Sequence, residues 1–561
     1  MYINEVKTPR ELACLLNIEY SYLTYILYKK RPENCYVSFE IPKKSGENRT
    51  INSPIKSLKY IQRKLTNQIW RYELYLREEK GIDSKISHAF EKNKSIFTNA
   101  NIHKGKKYII NTDLKDYFDS FHFGRVRGYF NKNNDYNLPI EIATIIAQLT
   151  CYNSRLPQGA PSSPIITNLI SNNMDMMLLH ITKKYKLDYT RYADDLTFST
   201  NDKYIVDNFD VFLEAVSKIV EKNGFELNTK KTRLQYKDSR KVVTGLVVNE
   251  KLNISSDYFR ETKAMAFSLY TKGKFNIGSE EGTMSQLEGR FSFINQIDKY
   301  NNKLEKKPRS FRNLNKREEQ FRRFLFYKYF YHNDKPLIVT EGKTDIIYIK
   351  AALKKLYMDY PNLVNKEYNS FDYEFAFLRR SKILEYLFGF AKDGADSMKN
   401  LYNFFIGKDG AKDYLQYFQK YSMYKPKYPV IFLFDNELNA KGKPLSSFIK
   451  HIKLDSNKLE SFKENHFVRV LDGSNLFLAT HPLVKNKTEC EIEDLFDDSV
   501  LELALDGKTF DRKGKNENNE HFGKEIFSKY IMKHYKEINF DRFKPFLVIL
   551  QTILNDYEKN G

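Results

Sequence analysis

Three aspartates at the ends of apolar segments are the residues of this sequence best suited to metal chemistry. Asp113 ends the segment KYIINTD, and Asp194 and Asp195 lie at the predicted turn of the hairpin YTRYADDLTFST. A carboxylate at the end of a buried strand is costly to desolvate unless a cation compensates its charge. Two divalent ions about 3.5–4 Å apart would do so, and would stabilise the attacking and leaving oxygens of a phosphoryl transfer. The pattern therefore predicts a metal-dependent phosphoryl-transfer site.

A second set of acidic residues follows two further apolar segments. Glu341 and Asp345 lie four residues apart in EGKTD, after LIVT, and would share one face of a helix that begins there. Asp435 and Glu437 follow VIFLF, where residues two apart in an extended segment point to one side. Glu493 belongs to a third cluster, EIED. The set predicts a second metal-dependent phosphodiester site, although EGKTD taken alone is better explained as an acidic helix cap.

The elements that must position these residues follow from the apolar patterns. Residues 1–80 are predicted to be mostly helical, with LKYIQRKLTNQIW as one helix and with Ser45-Gly46-Glu47-Asn48 as the turn of a hairpin. From about residue 105 short strands predominate, and KVVTGLVVN has the composition of a strand. Residues 300–330 predict a basic, aromatic helix that lies on nucleic acid or links domains. A new α/β unit is predicted after a domain boundary near Pro336.

The length, composition and charge of the chain limit the classes of protein to which it can belong. A chain of 561 residues is too long for one core and predicts two to four domains, and its 41% hydrophobic content excludes a disordered chain. The net charge is +21, of which residues 1–330 carry +19. This asymmetry predicts that the N-terminal half binds a polyanion, and the alternative is a solvated basic surface.

Cysteine content and hydropathy indicate the compartment. The four cysteines form no CxxC pair, which argues against a structural zinc site and suits a reducing cytosol. The N-terminus lacks the apolar segment of a signal peptide, and no apolar run approaches the roughly 20 residues that span a bilayer. We therefore expect a soluble, intracellular protein.

An ordered set of motifs around the first acidic set resembles the reverse transcriptases over roughly residues 20–300. The motifs are Arg49, Leu156-Pro157-Gln158-Gly159-Ala160-Pro161, Tyr192-Ala193-Asp194-Asp195, Asn228-Thr229-Lys230-Lys231-Thr232 and Val243-Thr244-Gly245. Asn99-Ala100-Asn101-Ile102-His103 is similar to the NAxxH signature of the bacterial retron reverse transcriptases, and Val243-Thr244-Gly245 to their VTG signature. Within the reverse transcriptases, the chain therefore most resembles the retron enzymes.

This resemblance implies roles for individual residues. Asp113 and Asp194 would hold two Mg²⁺ ions with support from Asp195, and Arg49 would contact the triphosphate. Residues that would shape the nucleotide pocket are Phe118 against the sugar, Gln158 and Gly159 beside the incoming nucleotide, and Lys231 near the pyrophosphate. Residues that would bind RNA are Asn99, His103, Val243, Thr244 and Gly245. Phe118 as a core aromatic and Lys231 as a solvated lysine remain alternatives.

The second acidic set resembles a Toprim domain, and more narrowly the overcoming-lysogenization-defect type of nuclease. The resemblance implies that Glu341, Asp345, Asp435, Glu437 and Glu493 hold one or two Mg²⁺ ions. Lys524, in HFGKEIF, matches the position of a late basic residue of that family, and a surface lysine is the alternative. Glu437 departs from the aspartate of the family pattern, which keeps a carboxylate and lengthens its reach.

The two resemblances together imply a multidomain α+β and α/β protein, in which a right-hand polymerase precedes a Toprim α/β domain. The implied domains are N-terminal helices and fingers (1–105), palm with fingers elements (106–250), thumb and basic linker helix (251–330), and Toprim nuclease-like domain (336–561).

The implied function is a retron enzyme in the bacterial cytoplasm. It would use dNTPs to make branched RNA–DNA (msDNA) on its own structured noncoding RNA, and its fused nuclease would act in anti-phage defence. The nuclease target would be cellular RNA such as tRNA, or DNA, with no membrane partner and with homo-oligomerisation left open. The alternatives are an abortive-infection polymerase that makes untemplated DNA and a non-catalytic RNA-binding protein.

Overall fold

The computed structural model describes residues 1–42, 46, 48–81, 86–368, 370–391, 396–484, 487–512 and 520–560. These residues form two compact units, Met1–Ser255 and Ser256–Gly561. Ser45 and Glu47 of the predicted hairpin turn lie outside the described residues. Within the described ranges, no helix combines the length and the apolar character needed to cross a bilayer.

The first unit consists of helices packed around a small antiparallel sheet. Its helices are α1 (Pro9–Leu15), α2 (Tyr20–Thr24), α3 (Lys56–Glu79), α4 (Ile96–Ile102), α5 (Phe123–Lys132), α6 (Ile140–Thr150), α7 (Ser163–Lys184), α8 (Tyr204–Asp207) and α9 (Phe209–Lys222). Its strands are β1 (Tyr36–Pro42), β2 (Asn48–Pro54), β3 (Tyr108–Asp113), β4 (Asp188–Tyr192), β5 (Asp195–Thr200), β6 (Arg233–Gln235), β7 (Val242–Val243) and β8 (Leu246–Val247).

The central sheet of this unit has the strand order β4-β5-β3-β6, and all its pairs are antiparallel. Ile110 of β3 and Phe198 of β5 are buried in one core with Phe212 and Val216 of α9. The predicted strand at 107–113 and the predicted hairpins at 41–54 and 189–200 are confirmed, and the first hairpin begins earlier than predicted, at Tyr36. Strand β5 is covered on both faces, because Thr197 and Ser199 are buried as well as Leu196 and Phe198.

The segment KVVTGLVVN does not form one continuous strand. It forms a tight hairpin, in which β7 and β8 pair and Thr244 and Gly245 occupy the turn. Their φ angles are +45° and +81°, and positive φ at both central positions reverses the chain in the sense that suits twisted strands. The glycine explains the turn, because it adopts positive φ without steric cost.

The second unit is an α/β structure. Its helices are α10 (Ser256–Lys272), α11 (Met284–Leu304), α12 (Lys316–Phe326), α13 (Lys343–Lys355), α14 (Lys382–Phe388), α15 (Asp396–Ile406), α16 (Tyr414–Tyr421), α17 (Pro444–Ile452), α18 (Ser456–Asn465), α19 (Asp498–Leu501), α20 (Lys524–Lys533) and α21 (Lys544–Asn560). Its strands are β9 (Asn276–Ile277), β10 (Glu280–Glu281), β11 (Leu337–Thr340), β12 (Val364–Glu367), β13 (Ser370–Tyr373), β14 (Ala376–Phe377), β15 (Val430–Phe434), β16 (Phe467–Arg469), β17 (Leu476–Thr480), β18 (Thr509–Phe510) and β19 (His521–Phe522).

The main sheet of the second unit has the order β14-β11-β15-β17-β16. Strands β14, β11, β15 and β17 are parallel, and β16 is antiparallel to β17. The predicted strands LIVT and VIFLF and the predicted helix after EGKTD are confirmed as β11, β15 and α13. Strands β11, β15 and β17 are buried throughout, as expected of parallel strands covered on both faces.

The aromatic helix α12, within the basic segment before β11, packs into the interior of this unit. Phe321, Phe324 and Phe326 of α12 are buried, and the Phe326 ring lies 4.8 Å from that of Phe405 on α15. Burial of aromatic side chains of this size removes a large apolar area from water and stabilises the fold. This gain favours the packing of α12 in the core. The chain accordingly divides at Ser256 rather than near Pro336, and α12 is not an exposed linker helix.

Candidate active sites

The first acidic set meets at one end of the antiparallel sheet. Asp113 pairs with Asp195 across β3 and β5, and Tyr192 pairs with Asp195 across β4 and β5. The Leu114 backbone N–H donates a 3.0 Å hydrogen bond to the Asp194 carbonyl oxygen. Because directly opposed residues of paired strands lie about 4.5–5.5 Å apart, this register brings three sequence-predicted carboxylates together.

The turn between β4 and β5 is held by a buried arginine. Ala193 has a φ of +58°, which a residue with a side chain rarely adopts. The guanidinium of Arg191 donates a 3.1 Å hydrogen bond to the Ala193 carbonyl and forms an ion pair with Asp175 at 2.8 Å. Arg191 is fully buried, and it also donates to the Tyr117 hydroxyl at 3.1 Å. Arg191 and Asp175 were not among the sequence-predicted residues, although a charged residue in an apolar strand is a signal for a buried ion pair.

The carboxylates of the first site repel one another. Desolvation raises the pKa of Asp194, and the neighbouring Asp113 raises it further. Desolvation, with the charges of Asp194 and Asp113, raises the pKa of Asp195 to about 7, even though its side chain reaches the surface. Lys231 donates a 2.8 Å hydrogen bond to Asp113, and this bond raises the pKa of the lysine. Lys231 thus contacts the acidic cluster directly instead of being an isolated solvated lysine.

Three residues predicted to bind the nucleotide lie on joined segments. The Asn52 backbone N–H of β2 donates a 2.8 Å hydrogen bond to the Gln158 carbonyl, and β2 also carries the exposed Arg49. Gly159 has a φ of +114°, and a Cβ atom there would lie 2.8 Å from Ile51 Cγ2. Only glycine allows this close approach of the two backbones. The structure therefore brings Arg49, Gln158 and Gly159 into one region.

Phe118 lies at the edge of the core. Its side chain is half-buried, and its ring contacts those of Tyr117 and Phe90 at centroid distances of 5.6 Å and 6.4 Å. Tyr117 beside it is buried and bonded to Arg191. The backbone segment that carries Phe118 is thus tied to the same arginine as the Ala193 turn.

The two predicted RNA-binding signatures form one structural unit, and only part of it is accessible. The Asn99 side-chain amide donates to the Thr244 hydroxyl at 3.5 Å, so α4 supports the β7–β8 turn. Asn99, His103 and Val243 are fully buried, whereas Thr244 is half-buried and Gly245 is exposed.

His103 shows how the buried part of this unit is bonded. Its two ring nitrogens bond to the hydroxyls of Ser199 and Thr190 at 2.7 Å, and burial lowers its pKa to about 3. A buried, neutral, fully bonded ring has no free group in this structure. In this structure Asn99, His103 and Val243 are buried and position the turn, and their direct contact with RNA stays a prediction.

The second acidic set surrounds the carboxyl ends of β11 and β15. Glu341 follows β11, and its Oε1 accepts a 3.3 Å hydrogen bond from the backbone N–H of Asp435, which follows β15. Asp435 Oδ1 accepts a 2.8 Å bond from the Ile492 N–H, which brings the EIED segment to the same edge. Desolvation and then Asp435 and Asp345 raise the pKa of Glu341 to about 9. Ligand sites in open α/β sheets lie at this edge.

Asp345 caps its own helix and also contributes to the acidic cluster. Its carboxylate accepts a 2.9 Å bond from the Gly342 N–H at the start of α13, so the helix-cap interpretation of EGKTD holds as well. Desolvation, together with the neighbouring Asp435 and Glu493, raises its pKa to about 7. A cap and an ion ligand are compatible roles, because a carboxylate accepts several bonds.

Glu493 and Lys524 form an ion pair in which the glutamate is buried and the lysine is half-buried. Lys524, at the start of α20, lies 3.1 Å from Glu493 and 3.0 Å from Glu491. Burial disfavours its charge, but the two glutamates outweigh burial and raise the pKa of Lys524. Burial also raises the pKa of Glu493, despite the opposing effect of Lys524. Lys524 is therefore in contact with the cluster, and its catalytic role stays a prediction.

Glu437 makes a more peripheral contact. It is 5% exposed and accepts a 2.5 Å hydrogen bond from Lys443, and burial raises its pKa in spite of that partner. Because its charge has a lysine partner of its own, Glu437 needs an added cation less than Glu341 does.

The donor chemistry of both clusters suits Mg²⁺. Carboxylate oxygens are its preferred protein ligands. Desolvation first, and neighbouring carboxylates second, raise the pKa values of Asp194, Asp195, Glu341 and Asp345. Among the residues that the structure describes, no three His, Cys, Asp or Glu side chains converge closely enough to enclose an ion.

Comparison with known proteins identifies the class of the first unit. Residues 41–256 match the family model described as reverse transcriptase (RNA-dependent DNA polymerase). Apo telomerase from Candida tropicalis is 14% identical with a TM-score of 0.32, over 53% of this chain and 61% of that one, which is too weak a likeness to define the fold.

Two curated relatives narrow the class. The chain is 32% identical over 311 residues to the Retron Ec86 reverse transcriptase of Escherichia coli, a match that covers 54% of this chain and 86% of the relative. It is 32% identical over 330 residues to the Retron Mx162 reverse transcriptase of Myxococcus xanthus, covering 53% of this chain but only 65% of that enzyme. The chain belongs to the retron reverse transcriptase family.

Proposed function

We propose that this chain is an RNA-directed DNA polymerase that makes branched RNA–DNA on its own structured noncoding RNA, with dNTPs as substrates. The observation that carries the proposal is the strand register that assembles Asp113, Asp194 and Asp195, in a chain of the retron reverse transcriptase family. Mg²⁺ bound there would stabilise the negative charge that develops during phosphoryl transfer.

The surrounding residues support the same proposal. Arg49, on the strand joined to Gln158, would bind the triphosphate, and Gly159 would admit the nucleotide close to the backbone. The half-buried ring of Phe118 would contact the sugar and exclude a 2′-hydroxyl. Lys231, paired with Asp113, would neutralise charge on the departing pyrophosphate. The accessible Thr244–Gly245 turn would contact the noncoding RNA.

Residues 1–105, 106–250 and 251–330 are proposed to serve as fingers, palm and thumb. The proposed thumb includes α10 and α11, which belong to the second compact unit. The Phe291 ring of α11 lies 5.6 Å from that of Phe321 on α12 and is parallel to it. These contacts would couple the thumb to the α/β sheet that follows it.

The test is to purify the full chain from cells that carry its flanking DNA and to sequence the bound nucleic acid. We expect DNA joined by a branch to RNA and complementary to part of that RNA. RNA without DNA would favour the non-catalytic RNA-binding protein. DNA with no template in the bound RNA would favour the abortive-infection polymerase.

We propose a second activity, a Toprim-like metal-dependent nuclease, for the second unit. Its support is the cluster of Glu341, Asp345 and Asp435 at the carboxyl edge of parallel strands, with Glu493 and Lys524 beside it. The nuclease would serve anti-phage defence and be restrained by the bound RNA–DNA, with cellular RNA such as tRNA favoured over DNA as its target.

Phage plating with Glu341→Gln tests this second activity. The variant keeps its volume and loses a charge, so we expect loss of protection while the branched DNA still accumulates. Glu385→Gln, in the exposed first turn of α14, is the control and should protect as wild type. Full protection by Glu341→Gln would show that the second acidic cluster is not needed for defence. Loss of the branched DNA in the same variant would show that the two sites do not act independently.

A further inference from the structure

A buried histidine faces the second acidic cluster from a third strand. His481 directly follows β17, which runs parallel to β15 with Phe434 opposite Thr480. Asp435 and His481 therefore leave adjacent strands at the same edge of the sheet. The Asn436 side-chain amide donates a 2.8 Å hydrogen bond to the His481 carbonyl, which fixes this backbone beside the residue that follows Asp435.

The hydrogen bonding of the imidazole defines its orientation. His481 is 1% exposed, and its Nδ1 lies 3.1 Å from the Pro482 carbonyl oxygen. A carbonyl only accepts, so Nδ1 must carry the hydrogen. Nε2 has no hydrogen-bond partner within the described residues, and it lies 3.6 Å from Asp435 Oδ1. That distance is too long for a hydrogen bond.

This arrangement leaves an electron pair without a partner. In the neutral ring, the Nε2 lone pair faces a carboxylate oxygen inside the protein, and buried polar atoms in native structures nearly always have a partner. A cation between the two atoms would supply it. Two ligand atoms, each about 2.0–2.2 Å from one ion, are separated by roughly 3–3.6 Å, so the observed separation suits a shared ion.

We propose that His481 is a nitrogen ligand of the metal site around Asp435, and that this site prefers Mn²⁺ to Mg²⁺. The proposal rests on the second, nuclease-like site proposed above and adds to it a residue from β17. Imidazole binds transition-metal ions well, whereas Mg²⁺ favours oxygen ligands alone. Glu341, bonded to the Asp435 backbone, would supply an oxygen ligand to the same ion.

The experiment uses the full chain with Asp194→Asn and Asp195→Asn, so that Mn²⁺ does not occupy the first site. Electron spin echo modulation of bound Mn²⁺ reports a directly coordinated ¹⁴N nucleus. We expect this modulation in the parent and its loss in His481→Gln, with Mn²⁺ affinity reduced at least about tenfold and Mg²⁺ affinity reduced less. His534→Gln, directly after α20 and paired with Glu537, is the matched control and should change neither quantity.

The outcomes separate this proposal from the one on which it rests. Mn²⁺ binding that is lost in Asp435→Asn but shows no nitrogen modulation in the parent would exclude His481 as a ligand and leave the metal site standing. Mn²⁺ binding that is unaffected by Asp435→Asn and Glu341→Gln, or no binding, would overturn both proposals. The parent spectrum decides the matter even if His481→Gln fails to fold.

Discussion

The two acidic sites differ in the kind of sheet that assembles them and in the strength of the repulsion that results. In the first, a hairpin and its antiparallel neighbour bring together residues from strands β3 and β5. In the second, parallel strands β11 and β15, about 90 residues apart in the chain, bring Glu341 to Asp435. The pKa of Asp195 rises to about 7, and that of Glu341 to about 9.

The difference shows how sheet type affects charge compensation. The edge of an antiparallel hairpin reaches solvent, and Lys231, with 65% of its side chain exposed, neutralises Asp113 there. The carboxyl edge of a parallel sheet lies under crossover helices, and Lys524 is correspondingly less exposed, at 34%. The second cluster should therefore depend more on a bound cation for its stability than the first.

The largest expected effect is on catalysis at the first site. Asp194→Asn with Asp195→Asn removes two charges at nearly constant volume, and we expect DNA synthesis to fall by at least about 10³-fold. Extension with labelled dNTPs on the chain's own RNA measures the loss. Asp210→Asn, exposed on α9, is the control and should retain wild-type synthesis. Wild-type product from the double variant would refute the assignment of the site.

The next largest effect concerns the buried arginine that supports the first site. Arg191→Met leaves Asp175 buried without its partner, so the free energy of unfolding should fall by about 3–5 kcal/mol. Urea denaturation measures this change. Lys115→Met, which breaks the exposed pair with Glu226, should cost less than about 1 kcal/mol.

A second variant separates stability from positioning. Arg191→Met combined with Asp175→Leu removes both charges and should recover much of the stability. DNA synthesis should stay low, because the Ala193 carbonyl still lacks its donor. Recovery of synthesis together with stability would mean that Arg191 serves the fold alone.

An intermediate effect is expected on nucleic-acid affinity. The charge of +21 divides into +12 for Met1–Ser255 and +9 for the second unit, of which residues 256–330 carry +7. Lys303 and Lys306 are exposed, and they line a cavity of about 360 Å³ with Lys299 and Arg309. Lys303→Gln with Lys306→Gln should reduce the slope of log affinity against log salt by about two.

Filter binding of the noncoding RNA between 50 and 200 mM salt measures that slope. The matched control is Lys453→Gln with Lys463→Gln, two exposed lysines of the second unit that lie beyond residue 330. The control should leave the slope unchanged. Equal losses in the two pairs would show that the basic segment before β11 has no special role.

The last expected effect is a pH dependence of stability. Glu341 binds a proton more tightly in the folded state than in the unfolded state, because its pKa is raised to about 9. Between its unfolded pKa, near 4.5, and about 9, the folded state therefore holds more protons, and the free energy of unfolding should fall as pH rises. Denaturation in EDTA at pH 5.5 and 8.5 measures this fall.

Glu341→Gln should reduce the fall in the free energy of unfolding between pH 5.5 and 8.5. Saturating divalent ions should reduce the same fall in the wild-type protein. Asp195→Asn should have less effect above pH 7, because the pKa of Asp195 is raised only to about 7. Equal changes for the two variants at high pH would contradict the contrast drawn between the two clusters.

Local sequence was sufficient for the features that depend on neighbouring residues. The hairpin around Asp194, the strand that ends at Asp113 and the strand–helix unit around Glu341 were predicted because apolar periodicity and turn chemistry act over a few residues. The order of the motifs along the chain also indicated the retron reverse transcriptase family.

Only the tertiary structure decided features that depend on distant partners and on burial. The Asn99 side chain bonds to Thr244, which is 145 residues away in the chain. His103 is buried with hydrogen bonds to Ser199 and Thr190, and the aromatic residues of α12 are buried in the core. The facing pair of His481 and Asp435 arises only when β17 aligns beside β15. A sequence shows which groups can bond, but hydrogen bonds and desolvation depend on which groups meet once the chain has folded.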